Sequence, residues 1–426
     1  MKKIKLNGIK EIVYYDKLKN GLEIYIVPKT NRNHVFVTLT TKYGSNDIEF
    51  IPLGEKKYYK SPFGVAHFLE HKVFNTPNNT SALTLFAQNG ITINAFTSYK
   101  QTTYYFDCIN NIEDNINALL DFVQNPEFDE KSVIKEQGII EQEIKGTEDD
   151  PITYGYLKFK ENLIIKNYYK YMVAGRVNDI KNITKEDLEK CYRTFYNPSN
   201  MCLIITGNIE PENILKVVET NQEKKQFQNN DIKLKYVDEP MKVVREYEEL
   251  KMRVKTPKFL LGYKIKIDKN LTPEDLLKMD IYHTLMNTMI FGLTSSFYEK
   301  MQEEKYLTYP LSISKSILYD FLVLRFEGES KYPKEVIEAI KRQLNDLNIT
   351  EEQLERFKKF YISNIIEEFD DVEASNSNLL YMKIHHGEIL SHSINVIKSI
   401  TLKDYNNYVK KLDFNCFSSM VILPKE

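Results

Sequence analysis

Alternation of apolar and polar residues is strongest near the start of the chain. Residues 21–28, GLEIYIVP, and residues 34–44, HVFVTLTTKYG, each alternate with a period of two, as a strand with one buried face does. The turn pair Asn20-Gly21 precedes the first, and the two runs are expected to form a hairpin. A third strand region is predicted over residues 91–108, ITINAFTSYKQTTYYFDC, which is dense in Thr, Tyr and Phe. The period then becomes helical, with apolar residues at 112, 116, 119, 120 and 123. Pro126 ends that helix, and a second is predicted over residues 129–145. The acidic run 148–150 before Pro151 marks a turn, and the strand in SNMCLIITGNI closes this half near Ile209.

Residues 222–236, QEKKQFQNNDIKLKY, are polar and lack apolar periodicity, so a linker is expected over 222–240. A strand over residues 259–267 opens the second half, which repeats the order of the first. KEDLEKCYRTFYNPSNMCLIITG from Lys185 is matched in pattern by LKDYNNYVKKLDFNCFSSMVILP, with Lys403 in the corresponding place, an offset of 403 − 185 = 218 residues. Pro126 to Asp129 and its helix correspond to Leu347 to Thr350 and its helix. The pattern is a duplication of one domain, not a short-period solenoid. The expected fold is α+β: two similar domains, 1–221 and 241–426, each an antiparallel sheet with helices packed on one face.

Composition narrows the class. The 426 residues are 42% hydrophobic and 28% charged, which is globular, and the net charge of −2 argues against a nucleic-acid partner. The four cysteines, Cys108, Cys191, Cys202 and Cys416, have no C-x-x-C spacing and read as reduced thiols. The N-terminus, MKKIKLNGIKEIVYY, lacks an apolar core and is not expected to be a signal peptide. No run of eighteen apolar residues is present, so no membrane span and a cytoplasmic location are expected.

Candidate chemistry gathers in residues 61–76, SPFGVAHFLEHKVFNT. Ser61 is expected to cap a helix with Pro62 at its first position. His67 and His71 are then one turn apart on one face, with Glu70 tilted toward it. Two neutral imidazoles at this spacing can bind one zinc ion, and the adjacent carboxylate can take a proton from water. The pattern H-x-x-E-H is the inverted zincin motif. The competing reading is an ordinary helix with surface histidines. The second half has no such motif. His385 and His386 are adjacent and on different sides of a helix, and they, His283 and His392 are expected at the surface. His34 is expected to decorate a strand end.

A catalytic zinc needs a third protein ligand, and the helix KSVIKEQGIIEQEIKG offers candidates. Glu136 and Glu143, seven residues apart, share a face, and Glu141 falls on another. Taken alone such carboxylates are usually solvated; with the upstream motif they become candidates.

HFLEH followed by E-x6-E resembles the pitrilysin/insulinase family of inverzincin metallopeptidases. The resemblance extends through NAFTSYKQTTYYF, DFVQNPEF, KEQGIIEQEI, AGRVNDIKNITKEDLEKCYRTFYNPSNM and the ending of each half. It implies that His67, His71 and Glu143 bind zinc, that Glu70 is the general base, and that Glu136 supports the site. Asn94 and Ala95 would lie on the edge strand to which the substrate backbone adds. Family members often carry an Arg and, seven residues later, a Tyr in the second half; here Tyr309 is present and Gln302 stands at the Arg position, without the positive charge. The family encloses peptides in a chamber of four such domains. The resemblance thus implies a zinc endopeptidase working as a dimer, more specifically a heterodimer with a homologous subunit bearing the Arg/Tyr pair. The alternative is a non-catalytic, structural subunit.

Overall fold

The computed structural model describes residues 1–76, 80–228 and 231–425. Residues 229 and 230 of the expected linker and the last residue of the expected second domain lie outside the described residues. Two compact units are present: Met1–Ile144 with Met172–Lys235 and Ile365–His392, and Lys145–Tyr171 with Tyr236–Asn364 and Ser393–Glu426.

The first unit is built on a seven-stranded sheet. Its strands are β1 (Lys2–Leu6), β2 (Glu11–Lys17), β3 (Glu23–Pro28), β4 (Val35–Thr41), β5 (Ile93–Thr97), β6 (Thr102–Cys108) and β7 (Met201–Gly207). Their order is β1-β2-β3-β7-β4-β6-β5. The expected hairpin of residues 21–28 and 34–44 is not formed, because β7 inserts between β3 and β4, parallel to the first and antiparallel to the second. Asn20-Gly21 instead turns β2 into β3, with Gly21 at φ 91°; only a residue without Cβ adopts that region freely.

The second unit carries β8 (Tyr247–Met252), β9 (Lys258–Lys266), β10 (Ser312–Ile317), β11 (Phe321–Glu329) and β12 (Phe417–Pro424), in the order β8-β12-β9-β11-β10. Strand for strand this repeats β3-β7-β4-β6-β5, including the single parallel pair, here β8 with β12. The duplication therefore holds at the level of topology. The sheets are mixed rather than purely antiparallel, because the last strand of each half returns parallel to an earlier one, β7 to β3 and β12 to β8.

The helices repeat as well. Those used below are α1 (Val65–Val73), α2 (Ile112–Gln124), α3 (Glu130–Asp149), α4 (Pro151–Leu163), α5 (Lys185–Phe195), α6 (Pro273–Ile290), α7 (Ser296–Glu303), α8 (Glu351–Glu368), α9 (Val372–Tyr381) and α10 (Leu402–Val409). Helix α3 ends at Asp149, and Asp150 caps α4 by accepting from the Thr153 amide at 2.8 Å. Capping boxes Thr184–Asp187 and Thr401–Asp404 open α5 and α10. They set the offset there at 401 − 184 = 217 and align Lys185 with Leu402, one residue from the expected Lys403.

Helices cover both faces of the first sheet, not one. Val35, Val37 and Leu39 of β4 enter the main core with Leu203 and Ile205 of β7, against Val65, Phe68 and Leu69 of α1 and Leu119 and Val123 of α2. The opposite face receives α9. Asn376 of that helix donates to the carbonyls of Phe36 and Ile204 at 3.2 and 3.0 Å and accepts from Thr38 at 2.8 Å. In the second unit α4 packs at the corresponding place, on β12 and β9. Phe159 of α4 lies where a side chain on Gly262 would stand, so that approach requires glycine. The second sheet's faces thus follow the same plan, and the helices α4 and α9 are drawn from the opposite halves of the sequence.

Histidines in the second half depart from expectation. His283 on α6 is buried and bonds Tyr408 at 2.8 Å, and His386 is buried too. Helix α6 is enclosed on most sides, from Leu277 through Ile290, so a histidine there has no solvent face. The cysteines are all free. Among the described residues no helix is long and apolar enough to cross a membrane.

Candidate active site

The histidine-bearing helix does not start at Ser61. Ser61 is buried, its amide bonded to the Ile48 carbonyl at 3.0 Å, and it stands three residues before Gly64, which occupies the cap position. Helix α1 begins at Val65, after Gly64 in the left-handed region at φ 86°. A side chain on Gly64 would strike the Ala174 carbonyl. One face of α1 then buries Phe68, Leu69 and Val73 in the core, and His67 and His71 share the other side with ring centroids 4.6 Å apart.

Helix α3 faces this pair with two carboxylates. Nε2 of His67 lies 3.5 Å from Oε1 of Glu143, and Nε2 of His71 lies 3.8 Å from Oε2. One ligand atom from each of the three residues falls within 4.8 Å of the others. Donors around a shared tetrahedral zinc stand roughly 3.3–3.5 Å apart, given bonds of about 2.0–2.2 Å, so the three fit that ion. Glu136 takes the other ring nitrogen of His71, Nδ1 to Oε1 at 3.0 Å. That contact aims Nε2 toward Glu143 and fixes the ring, the arrangement metal-binding histidines commonly have. Glu141 turns away to pair with Lys181 at 3.2 Å.

The electrostatics suit metal binding. Burial, and then His71, push the His67 imidazole down to about 4, which keeps it neutral with a lone pair to give. Burial also opposes charge on His71, but the bond from Glu136 and the charges of Glu136, Glu70 and Glu143 outweigh it and raise its pKa. Glu136 shows the reciprocal effect: burial is overcome by His71, Lys72 and Lys135, and its pKa falls. Burial raises Glu70, against the opposing hydrogen bond from Thr97. A carboxyl group raised in this way is closer to the range useful for proton transfer.

Strand β5 forms the sheet edge beside this cluster. Asn94 is exposed, and its Oδ1 accepts from the Ala95 amide at 2.8 Å. A local cap of this kind shields an edge that would otherwise recruit other strands. Thr97, at the end of β5, donates to Glu70 Oε2 at 2.5 Å. The sequence assigned Thr97 no role; the available signal was its place two residues beyond Ala95, on the same face of the strand. His67, Glu70, His71, Glu136 and Glu143 are thus brought together, with Asn94 and Ala95 on the adjoining edge. Gln302 and Tyr309 belong to the second unit. Gln302 on α7 donates to the Tyr298 hydroxyl at 3.1 Å, and Tyr309 is 73% exposed.

Over 415 residues the sequence is 36% identical to the uncharacterised zinc protease YmfH of Bacillus subtilis, covering 96% of each chain. The chain belongs to the insulinase family of peptidases, M16. The model of that family, "Insulinase (Peptidase family M16)", matches residues 51–169, and the one described as "Peptidase M16 inactive domain" matches residues 182–361. Among solved structures, an M16-like peptidase from Alicyclobacillus acidocaldarius superposes with a TM-score of 0.91 at 28% identity, over 97% of this chain and 99% of that one. The periplasmic protease PqqL of Escherichia coli shares the fold at 17% identity and a TM-score of 0.75; the match spans 96% of this chain and 47% of PqqL. The M16 residues 51–169 contain all five members of the His67 to Glu143 cluster.

Proposed function

We propose that this M16 chain is a zinc endopeptidase in which His67, His71 and Glu143 hold the metal and Glu70 is the general base. The observation that carries the reading is the convergence of three ligand atoms while Glu136 occupies the second nitrogen of His71. Bound zinc supplies Lewis acidity toward a water molecule and the scissile carbonyl. Glu70 stands one residue before His71, buried and with a raised pKa; it accepts the proton of the attacking water and returns it to the leaving amine. An extended peptide adds to β5, where its carbonyl displaces Asn94 from the Ala95 amide. Main-chain pairing of this kind gives affinity without demanding a sequence, which suits a peptidase acting on peptides or leader segments. Four free cysteines fit a reducing compartment, and we place the protein in the cytoplasm.

The test is zinc content and peptide cleavage by the parent and by Glu70→Gln. Both should hold about one zinc per chain, and the variant should lose cleavage by ~10²–10⁴-fold. Cleavage within a few-fold of the parent would remove Glu70 from the role.

The second half favours an assembly of two chains. Tyr309 stands without the Arg that family members often place seven residues earlier, since Gln302 occupies that position. A chain of this fold corresponds to 47% of the PqqL polypeptide. We infer a heterodimer in which a homologous subunit contributes the Arg/Tyr pair. A purely structural role for this chain is the second reading, favoured by the match of residues 182–361 to the domain described as inactive. Retention of the whole His67 to Glu143 cluster favours the catalytic one.

A further inference from the structure

Thr97 joins two parts of the site that the motifs treat separately. It ends β5, the edge of the sheet, and its hydroxyl lies 2.5 Å from Oε2 of Glu70. The hydroxyl carries one proton and has two neighbours to give it to, Glu70 and the Thr102 hydroxyl at 3.3 Å. Thr102 sits directly across the hairpin from Thr97 and is buried. Its own proton goes to the Tyr43 carbonyl at 2.9 Å. The carboxylate is both nearer and charged, so the Thr97 proton points to Glu70. Tyr43 is itself buried and stacked on Phe195, with ring centroids 4.0 Å apart. With both protons committed, the two hydroxyls share none, and Thr97 is held by the pairing of β5 with β6 and not by a relay.

We propose that Thr97 is the positioning residue of the general base and couples base orientation to the strand that receives the peptide. A glutamate side chain has several rotatable bonds, and one hydrogen bond to a rigid strand removes most of that freedom. Holding Oε2 leaves Oε1 to face the attacking water. The holder lies on β5, two residues from Ala95, so the strand that pairs with the peptide also carries the group that fixes the carboxylate. Thr97 then acts on turnover and not on peptide affinity. The inference rests on Glu70 being the base.

The experiment compares parent, Thr97→Val, Thr97→Ser, Glu70→Gln and the Thr97→Val/Glu70→Gln double variant with a quenched fluorescent peptide. Valine keeps the volume and removes the donor; serine keeps the donor. Thr97→Val should lower kcat by about 10- to 100-fold, the range for losing one hydrogen bond to a charged group, with KM within a few-fold. Thr97→Ser should recover most of the rate. In the Glu70→Gln background the valine should cost nothing further, because the two residues act as one unit. Zinc content and melting temperature should match the parent in every variant. Independently of cleavage, a crystal structure of metal-free Thr97→Val should show the Glu70 carboxylate displaced from β5 or in several rotamers. A parent-like kcat in Thr97→Val, an equal loss in Thr97→Ser, or an unmoved carboxylate overturns the proposal while leaving Glu70 as base. Full cleavage by Glu70→Gln, or a parent that stays inert even when co-expressed with a homologous chain bearing Arg and Tyr, overturns the base assignment and this inference with it.

Discussion

Nδ1 of His71 lies 3.0 Å from Oε1 of Glu136, while Nε2 of the same ring faces Glu143 at 3.8 Å. Glu136 thus orients a proposed ligand without being one. Glu136→Ala should weaken zinc binding by ~10–100-fold and leave the ligand set intact, as loss of such supporting carboxylates does. Competition with a chromophoric chelator measures this. Unchanged affinity would mean that Glu136 does not support the metal.

His71→Ala removes a ligand outright and should lose most of the zinc, a larger effect than Glu136→Ala. Glu143→Gln should weaken binding too, because an amide oxygen is a neutral and poorer donor. Metal analysis after dialysis ranks the three, and full zinc in His71→Ala would exclude it from the site.

Glu239 and Lys264 form a pair with both side chains fully buried, 2.7 Å apart. Glu239 also accepts from the successive amides of Ile165, Lys166 and Asn167 at 2.8, 2.9 and 2.8 Å. Removing the carboxylate strands a buried cation and three donors. Glu239→Ala should therefore cost roughly 3–5 kcal/mol of stability, read as a drop in the urea midpoint. A change below ~1 kcal/mol would show that water or a shifted loop replaces the carboxylate.

His283 gives a pH dependence that is separate from the metal site. Burial, aided by Lys315 and opposed by Asp280, pushes its imidazole down to about 3. The unfolded chain takes up a proton near pH 6.5 that the folded chain refuses. This contribution is fully present above about pH 6.5 and is lost as pH falls toward 3, at up to about 1.4 kcal/mol per pH unit. His283→Gln should flatten the stability profile between pH 7 and 4.5 relative to the parent. Parallel profiles would assign the acid sensitivity elsewhere.

Gln302 and Tyr309 test the assembly. The isolated chain should cleave peptides weakly, and a homologous chain bearing both Arg and Tyr should restore turnover when the two are co-expressed. Full turnover by the isolated chain, unaffected by Tyr309→Phe, would sink the partner argument.

Local chemistry was legible in the sequence to the extent that it depends on close neighbours. H-x-x-E-H at 67–71 and the two carboxylates seven residues apart need only helical periodicity to be placed. The duplication was legible because the helix and terminal strand that begin at Lys185 recur in the same order near Lys403. Pairing between distant segments was not. Nothing in residues 21–44 announces that a strand at 201–207 will lie between the two runs, since parallel partners share no turn. Burial of His283 was hidden for a related reason: helix α6 is apolar on several faces, and one polar residue says little about which face meets solvent. Thr97 lies within NAFTSYKQTTYYF, but its hydrogen bond joins β5 to Glu70 of α1, a tertiary contact that no spacing records.

The placement of α4 and α9 bears on how this protein can be dissected. A fragment cut within residues 222–240 would keep α4 but lack the strands Gly262 and Met420 belong to, and it would leave Asn376's acceptors on Phe36 and Ile204 without their donor. The other fragment would carry α9 with no sheet to receive it. Each piece would display an orphaned helix and a bare sheet face at once, a combination that invites aggregation. Expressed together, the two pieces hold complementary parts and should reassemble, so complementation in trans, not independent folding, is the behaviour expected of split versions of this chain.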